Sequence, residues 1–138
     1  MTRGEFDHFC AGLPHASHVV QWGGSSVWKV AGKVFAIGGW EDGDALGVTF
    51  KVSELAFEIL KDQPGCRPAP YLASRGMSWI QRVNAKSMSD KALKELLRDS
   101  YQIVARGLSK AKQKALGLDE QFIEPQTPKR KTSIQVRS

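Results

Sequence analysis

The sequence predicts an α+β domain in which an antiparallel β-sheet carries its helices mainly on one face. Three observations lead there. Short β-rich runs broken by glycine follow one another from His18 to Lys51, segments with helical spacing flank them on both sides, and the run Lys33–Trp40 is largely apolar on both faces. A strand that is apolar on both faces needs cover on at least one of them, and a helix is the usual cover.

Thr2–Leu13 reads as a helix: Thr2 and Glu5 form a capping-box pair, Phe6, Phe9, Cys10 and Leu13 fall at i, i+3, i+4 and i+7, and Pro14 follows. Strands are predicted at His18–Trp22, Ser26–Val30 and Lys33–Trp40, with Gly23-Gly24-Ser25 and Ala31-Gly32 as the turns between them. In Lys33–Trp40, Val34, Ala36 and Gly38 face one way and Phe35, Ile37 and Gly39 the other. The turn Glu41-Asp42-Gly43-Asp44 leads into Ala45–Lys51, where Leu46, Val48 and Phe50 alternate with smaller or polar residues. Ser53 caps a helix that runs to about Gln63 and stops at Pro64-Gly65. The stretch Cys66–Tyr71 holds too much proline for regular structure, and Trp79–Val83 resumes a strand. From Ser87 or Ser89 to about Leu116 the longest helix is expected, with Leu93, Leu97, Val104, Leu108 and Ala111 as its apolar stripe. The domain is expected over residues 1–118, and 119–138, with Pro125 to Lys131 at its centre, reads as a flexible basic tail.

The 138 residues suffice for one hydrophobic core. With 41% hydrophobic and 25% charged residues the chain has ordinary globular composition. There is no long apolar run and no secretory leader, so a cytoplasmic location is expected, away from membranes. Two cysteines, Cys10 and Cys66, without a CxxC spacing, form neither a disulfide framework nor a four-cysteine zinc site. The net charge is +6, yet Lys129, Arg130, Lys131 and Arg137 supply +4 of it from residues 125–138, where no acid lies. The body is therefore nearly neutral, and its charge alone does not mark a nucleic-acid surface.

No catalytic signature is legible. The chain lacks G-x-S-x-G, and Trp22-Gly23-Gly24-Ser25-Ser26 lacks the lysine and spacing of a phosphate loop, so it reads as a hairpin turn. His15 and His18, with Cys10 nearby, have a superficial ligand spacing but straddle a helix-to-strand loop, which is a poor platform for a metal. Gly38-Gly39 signals a bulge or a close packing contact. Trp22, Trp28, Trp40 and Trp79 are core candidates, with Trp40 also suited to stacking on a ligand. A basic group, Arg106, Lys110, Lys112 and Lys114, closes the long helix, where cations complement the helix dipole. Neither enzyme activity nor a cofactor or metal is expected.

Val27-Trp28-Lys29-Val30 with Lys33-Val34-Phe35-Ala36, Leu46 to Val52, Arg67 to Ala73, Trp79-Ile80 and Ser100 to Val104 occur in the order and at the spacings of a known group of small proteins. Over about residues 1–116 the chain resembles the MmcQ/YjbR family. The resemblance implies a frataxin-like α+β architecture and a DNA-binding role inherited by analogy of fold. Frataxin-type iron binding would need an acidic first helix, and Glu5 and Asp7 alone do not make one.

The implied function is weak duplex DNA binding with little sequence preference, through the exposed sheet or its hairpin. Lys29 and Lys33 beside one turn, Lys51 at a strand end, and Arg67, Arg75 and Arg82 around the proline-rich stretch would hold phosphates, with help from the tail. The alternative is a non-enzymatic module that uses a pocket beside Arg67–Trp79 to hold a small anionic ligand or a protein segment, because arginine near aromatics suits carboxylate capture.

Overall fold

Thr2 opens the first helix by the predicted reciprocal cap: its hydroxyl accepts from the Glu5 amide at 3.1 Å, and the Glu5 carboxylate accepts from the Thr2 amide at 2.8 Å. These two bonds satisfy donors that a helix start would otherwise leave unpaired. They also hold the Glu5 carboxyl below its ordinary range. The computed structural model describes residues 1–42, 45–70 and 77–118. Over these residues the order is α1 (Arg3–Ala11), β1 (Ala16–Gln21), β2 (Ser25–Val30), β3 (Lys33–Asp42), β4 (Ala45–Lys51), α2 (Glu54–Leu60), β5 (Cys66–Pro68), β6 (Trp79–Arg82), α3 (Asp90–Arg106) and α4 (Lys110–Ala115). The chain divides into two units, Met1–Leu108 and Ser109–Ser138.

In the first unit six strands form one antiparallel sheet in the order β1-β2-β3-β4-β6-β5. Register fixes which side chains share a face. Ser26, Gly38, Val48, Arg82 and Cys66 lie in one row across five strands, and Trp28, Ala36, Phe50, Ile80 and Pro68 form the next row on the same face. This is the helix face. A Cβ at Gly38 would meet the Phe6 ring of α1 at 2.8 Å, and Trp28 and Ser26 both donate to Asp7 of α1. Leu93, Leu97, Tyr101 and Ala105 recur every four residues along α3 and are all buried, with Tyr101 set edge-on to Phe35 at 5.6 Å between ring centroids. The Tyr101 hydroxyl donates to Pro14 O at 2.7 Å, which ties α3 to the chain between α1 and β1. The second row set, Val27, Ile37, Thr49, Gln81 and Arg67, belongs to the reverse face.

The α+β architecture with an antiparallel sheet is as the sequence predicts, and three local expectations are corrected. Ala16–Gln21 is the first strand, and Trp22 lies beyond it in the left-handed region at φ 53°. The proline-rich stretch yields an edge strand, because Pro68 ends β5 and only Cys66 and Arg67 precede it. The long helix is two helices: α3 stops at Gly107, and the Ser109 hydroxyl caps a new helix by accepting from the Lys112 amide at 3.1 Å. Serine favours such caps over helix interiors, so glycine followed by serine ends one helix and starts another. Gly38-Gly39 serves both expected purposes, since Phe6 packs on Gly38 and the register with β4 shifts between Gly38 and Glu41.

Candidate functional site

The reverse face carries a row of hydrogen-bonded polar side chains across three strands. Arg67 Nε on β5 donates to Gln81 Oε1 at 2.7 Å, and Gln81 Nε2 on β6 donates to Thr49 Oγ1 on β4 at 3.0 Å. Thr49 and Gln81 are each 7% exposed, and Val27 in the same row is fully buried. Buried amides of this kind need partners, and here both ends of the Gln81 amide have one.

Beside this row the reverse face forms a cavity of about 820 Å³. Val34 and Ile37 of β3 give one apolar wall, and Ile103, Val104 and Leu108, from the last turns of α3 and the residues after it, give another. Lys33 and Lys51 are the cationic side chains on the lining, which Trp79 and Trp22 complete at the ring level. Trp22 is 60% exposed, so it leaves the core that the sequence reading gave it, whereas Trp28 and Trp79 are buried. The Lys51 ammonium lies 5.6 Å from the centroid of the Trp79 ring, a cation–π contact that orients both groups. The Trp79 indole Nε1 is enclosed and has no hydrogen-bond partner among the described residues.

Of the six basic residues expected to hold phosphate five are described, and of these only Lys33 and Lys51 come together, on the cavity lining. Lys33 is exposed, and Lys29 and Lys51 are half-buried. Arg67 is exposed but bonded to Gln81, and it is not on the cavity lining, so it is not the cavity's cation. Arg82 does not fit its expected role. It is 2% exposed on the helix face, where Nε and Nη2 donate to Met88 O at 3.1 and 2.7 Å and Nη2 donates to Asp90 Oδ1 at 2.9 Å. Arg82 follows Ile80 at strand spacing, so it shares the face that packs against helices, and the β6–α3 loop turns back to neutralise it. Arg75 and the side chain of Trp40 lie outside the described residues. The centre of the reverse face is buried, so it is not the exposed plane that duplex docking was expected to use.

A second cluster was not legible in the sequence. Asp7 Oδ1 accepts from Ser26 Oγ at 2.5 Å and from Trp28 Nε1 at 2.9 Å, and His18 Nε2 lies 2.6 Å from Ser26 Oγ. With the hydroxyl proton committed to Asp7, the histidine contact requires a proton on Nε2. Ser26 is fully buried and gives its proton to a carboxylate, so the group braces α1 against the β1–β2 hairpin. Residues 7, 18, 26 and 28 lie on three elements with no motif spacing to announce them. His8 and His15 do not join the cluster in any contact, and among the described residues no group of three histidine, cysteine, aspartate or glutamate side chains is placed to hold a metal ion. Burial raises the Cys10 thiol far above its usual range and raises Cys66 as well, which leaves both as protonated, free thiols.

The structure is similar to a Deinococcus radiodurans protein carrying a DUF419 domain, at TM-score 0.74 and 26% identity, over 85% of this chain and 88% of that one. It is also similar in fold to a Pseudomonas syringae protein, at TM-score 0.60 and 20% identity, over 75% of this chain and 98% of that one. No curated protein matches. The YjbR family model matches residues 11–103, which run from the end of α1 through the six strands and into α3. With two-thirds of its length so matched, the chain belongs to the YjbR family.

Proposed function

We propose that this protein is a non-enzymatic binding module that takes a small, mostly apolar anion into the cavity on the reverse face of its sheet. The observation that carries the reading is the cavity itself: about 820 Å³, walled by valine, isoleucine and leucine, with Lys33 and Lys51 as its charges. Sites for small molecules commonly have this size and this mixture of an apolar wall with a few polar anchors. Burying about 200 Å² of apolar ligand surface contributes roughly 5 kcal/mol, which an association cost of about 4 kcal/mol or more offsets, so the contacts to Lys33 and Lys51 decide whether a ligand is held. Free, protonated Cys10 and Cys66 suit a reducing compartment, which supports the cytoplasm as the module's proposed location.

Duplex DNA binding, the reading that the resemblance implies, draws less support from the geometry. Of its six residues Arg82 is buried in an ion pair and Arg67 is bonded to Gln81. A thermal-shift and calorimetric screen of small organic anions tests the ligand reading, with Ile37→Trp as a variant that fills the cavity. Stabilisation by apolar anions that vanishes in Ile37→Trp supports it. A panel in which nothing raises the melting temperature removes it.

A further inference from the structure

We infer that the head group of this ligand is a carboxylate, held jointly by the Trp79 indole N–H and the Lys51 ammonium, so that the ligand class is a carboxylic acid with an apolar body. The inference rests on the cavity reading and sharpens it. Trp79 lines the cavity, is 5% exposed, and keeps its Nε1–H without an acceptor among the described residues. A buried N–H without a partner is uncommon, and an acceptor brought by a ligand is one reason for a fold to keep it. The Lys51 ammonium lies 5.6 Å from the centroid of the same ring, lines the same cavity, and forms no ion pair among the described residues.

The number and kind of donors select the head group. A phosphate monoester presents three oxygens and close to two charges, and its sites typically gather several N–H donors or an arginine fork. Here the polar neighbours on the lining are already engaged, because Gln81 bonds Arg67 at one end and Thr49 at the other. Lys33 and Trp22 also line the cavity, but the enclosed Trp79 N–H and the Lys51 ammonium beside its ring form one pair of donors, which matches the two oxygens of a carboxylate. Val34, Ile37, Ile103, Val104 and Leu108 then surround whatever the carboxylate carries, and they offer it no polar partner from a side chain.

The test uses the full chain, with 3-phenylpropanoate and octanoate as acids, 3-phenylpropan-1-ol as the neutral match and 2-phenylethyl phosphate as the competing oxyanion, read by calorimetry. Wild-type protein is expected to bind the acids at least tenfold more tightly than the alcohol or the phosphate. Trp79→Phe keeps an aromatic ring, though a smaller one, and deletes the N–H; it should weaken the acids about tenfold, in line with the loss of one hydrogen bond to a charged group, while changing the alcohol by less than about threefold. Lys51→Met, which keeps the apolar stem, should weaken the acids to a similar degree. If the alcohol or the phosphate binds as well as the acids, or Trp79→Phe binds acids like wild type, the carboxylate inference is overturned while the cavity reading stands. If no probe binds, both are overturned.

Discussion

Gly38→Ala tests how tightly α1 is seated on the sheet. A Cβ at this position would lie 2.8 Å from both Cδ2 and Cε2 of Phe6 and 3.3 Å from Cδ2 of Leu46. Carbon atoms in good contact sit about 3.5–4.0 Å apart, so the Phe6 ring must retreat by most of an ångström. It has nowhere to go: Phe6 is fully buried, and α1 is held to β2 through the bonds of Asp7 with Ser26 and Trp28. Overpacking of this kind costs about 1–3 kcal/mol. For a domain of this size that corresponds to a fall of roughly 4–12 °C in melting temperature. The assay is thermal and guanidinium unfolding of Gly38→Ala, Phe6→Leu and the double variant. Phe6→Leu vacates the space that the new methyl needs, so the double variant should lose at least about 1 kcal/mol less than the two single losses combined. A Gly38→Ala protein as stable as wild type, or strictly additive losses, would refute the claim that the glycine exists to admit the ring. Because Phe6 and the cavity lie on opposite faces, ligand-induced stabilisation should survive in Gly38→Ala.

Arg82→Ala should destabilise the fold by about 2–3 kcal/mol, below the range for fully buried pairs because Asp90 is half exposed, and denaturant unfolding measures it. Burial works to raise the Asp90 carboxyl, but bonds from the N-terminal ammonium and the Arg82 guanidinium outweigh it and hold the group below its usual range. Its contribution is therefore complete above the ordinary aspartate range and is lost as pH falls through the lowered value, so Asp90→Asn should flatten the acid limb of a stability–pH profile. Ala31 occupies the left-handed region at φ 50° in the β2–β3 turn, and Ala31→Gly should raise stability by about 0.5–1 kcal/mol in thermal unfolding. In fluorescence anisotropy with a labelled duplex, salt-sensitive binding by the full chain should disappear on truncation to residues 1–124, since the excess charge lies beyond that point; equal binding by the truncated chain would return the DNA reading to the folded body.

Periodicity was a sound guide where one face decides burial. Leu46, Val48 and Phe50 alternate as expected and all are buried, and Leu93 and Leu97 face the sheet from α3. It misled for Val104 and Leu108, which continue that stripe on paper, because Tyr101 and Ala105 are the buried residues at their level and Val104 and Leu108 line the cavity instead. A helix with more apolar surface than one contact can cover is the signal that a second concavity borders it. The arginines show the opposite limit. Strand alternation puts Arg82 with Ile80 and Arg67 with Gln81, but which face each pair occupies depends on where the helices pack, and that follows from long-range contacts no local pattern reports. The orphaned Trp79 N–H and the Asp7–Ser26–Trp28 bonds are equally non-local, since each depends on what a distant strand or helix brings within 3 Å.

The two margins of the sheet differ in a way that bears on self-association. β1 spans six residues in unbroken register with β2, carries no charged residue or proline, and leaves Val20 55% exposed next to Trp22. β5, at the opposite margin, is three residues long and ends in proline. Natural sheets commonly guard their borders with charge, proline or brevity, and among the described residues β5 is guarded in this way and β1 is not. Strand addition through β1 would bring together two copies, after which each outward margin is the short, proline-ended one. Such pairing has no template for a third copy, so crowding of this protein should produce a finite pair in place of a growing fibre.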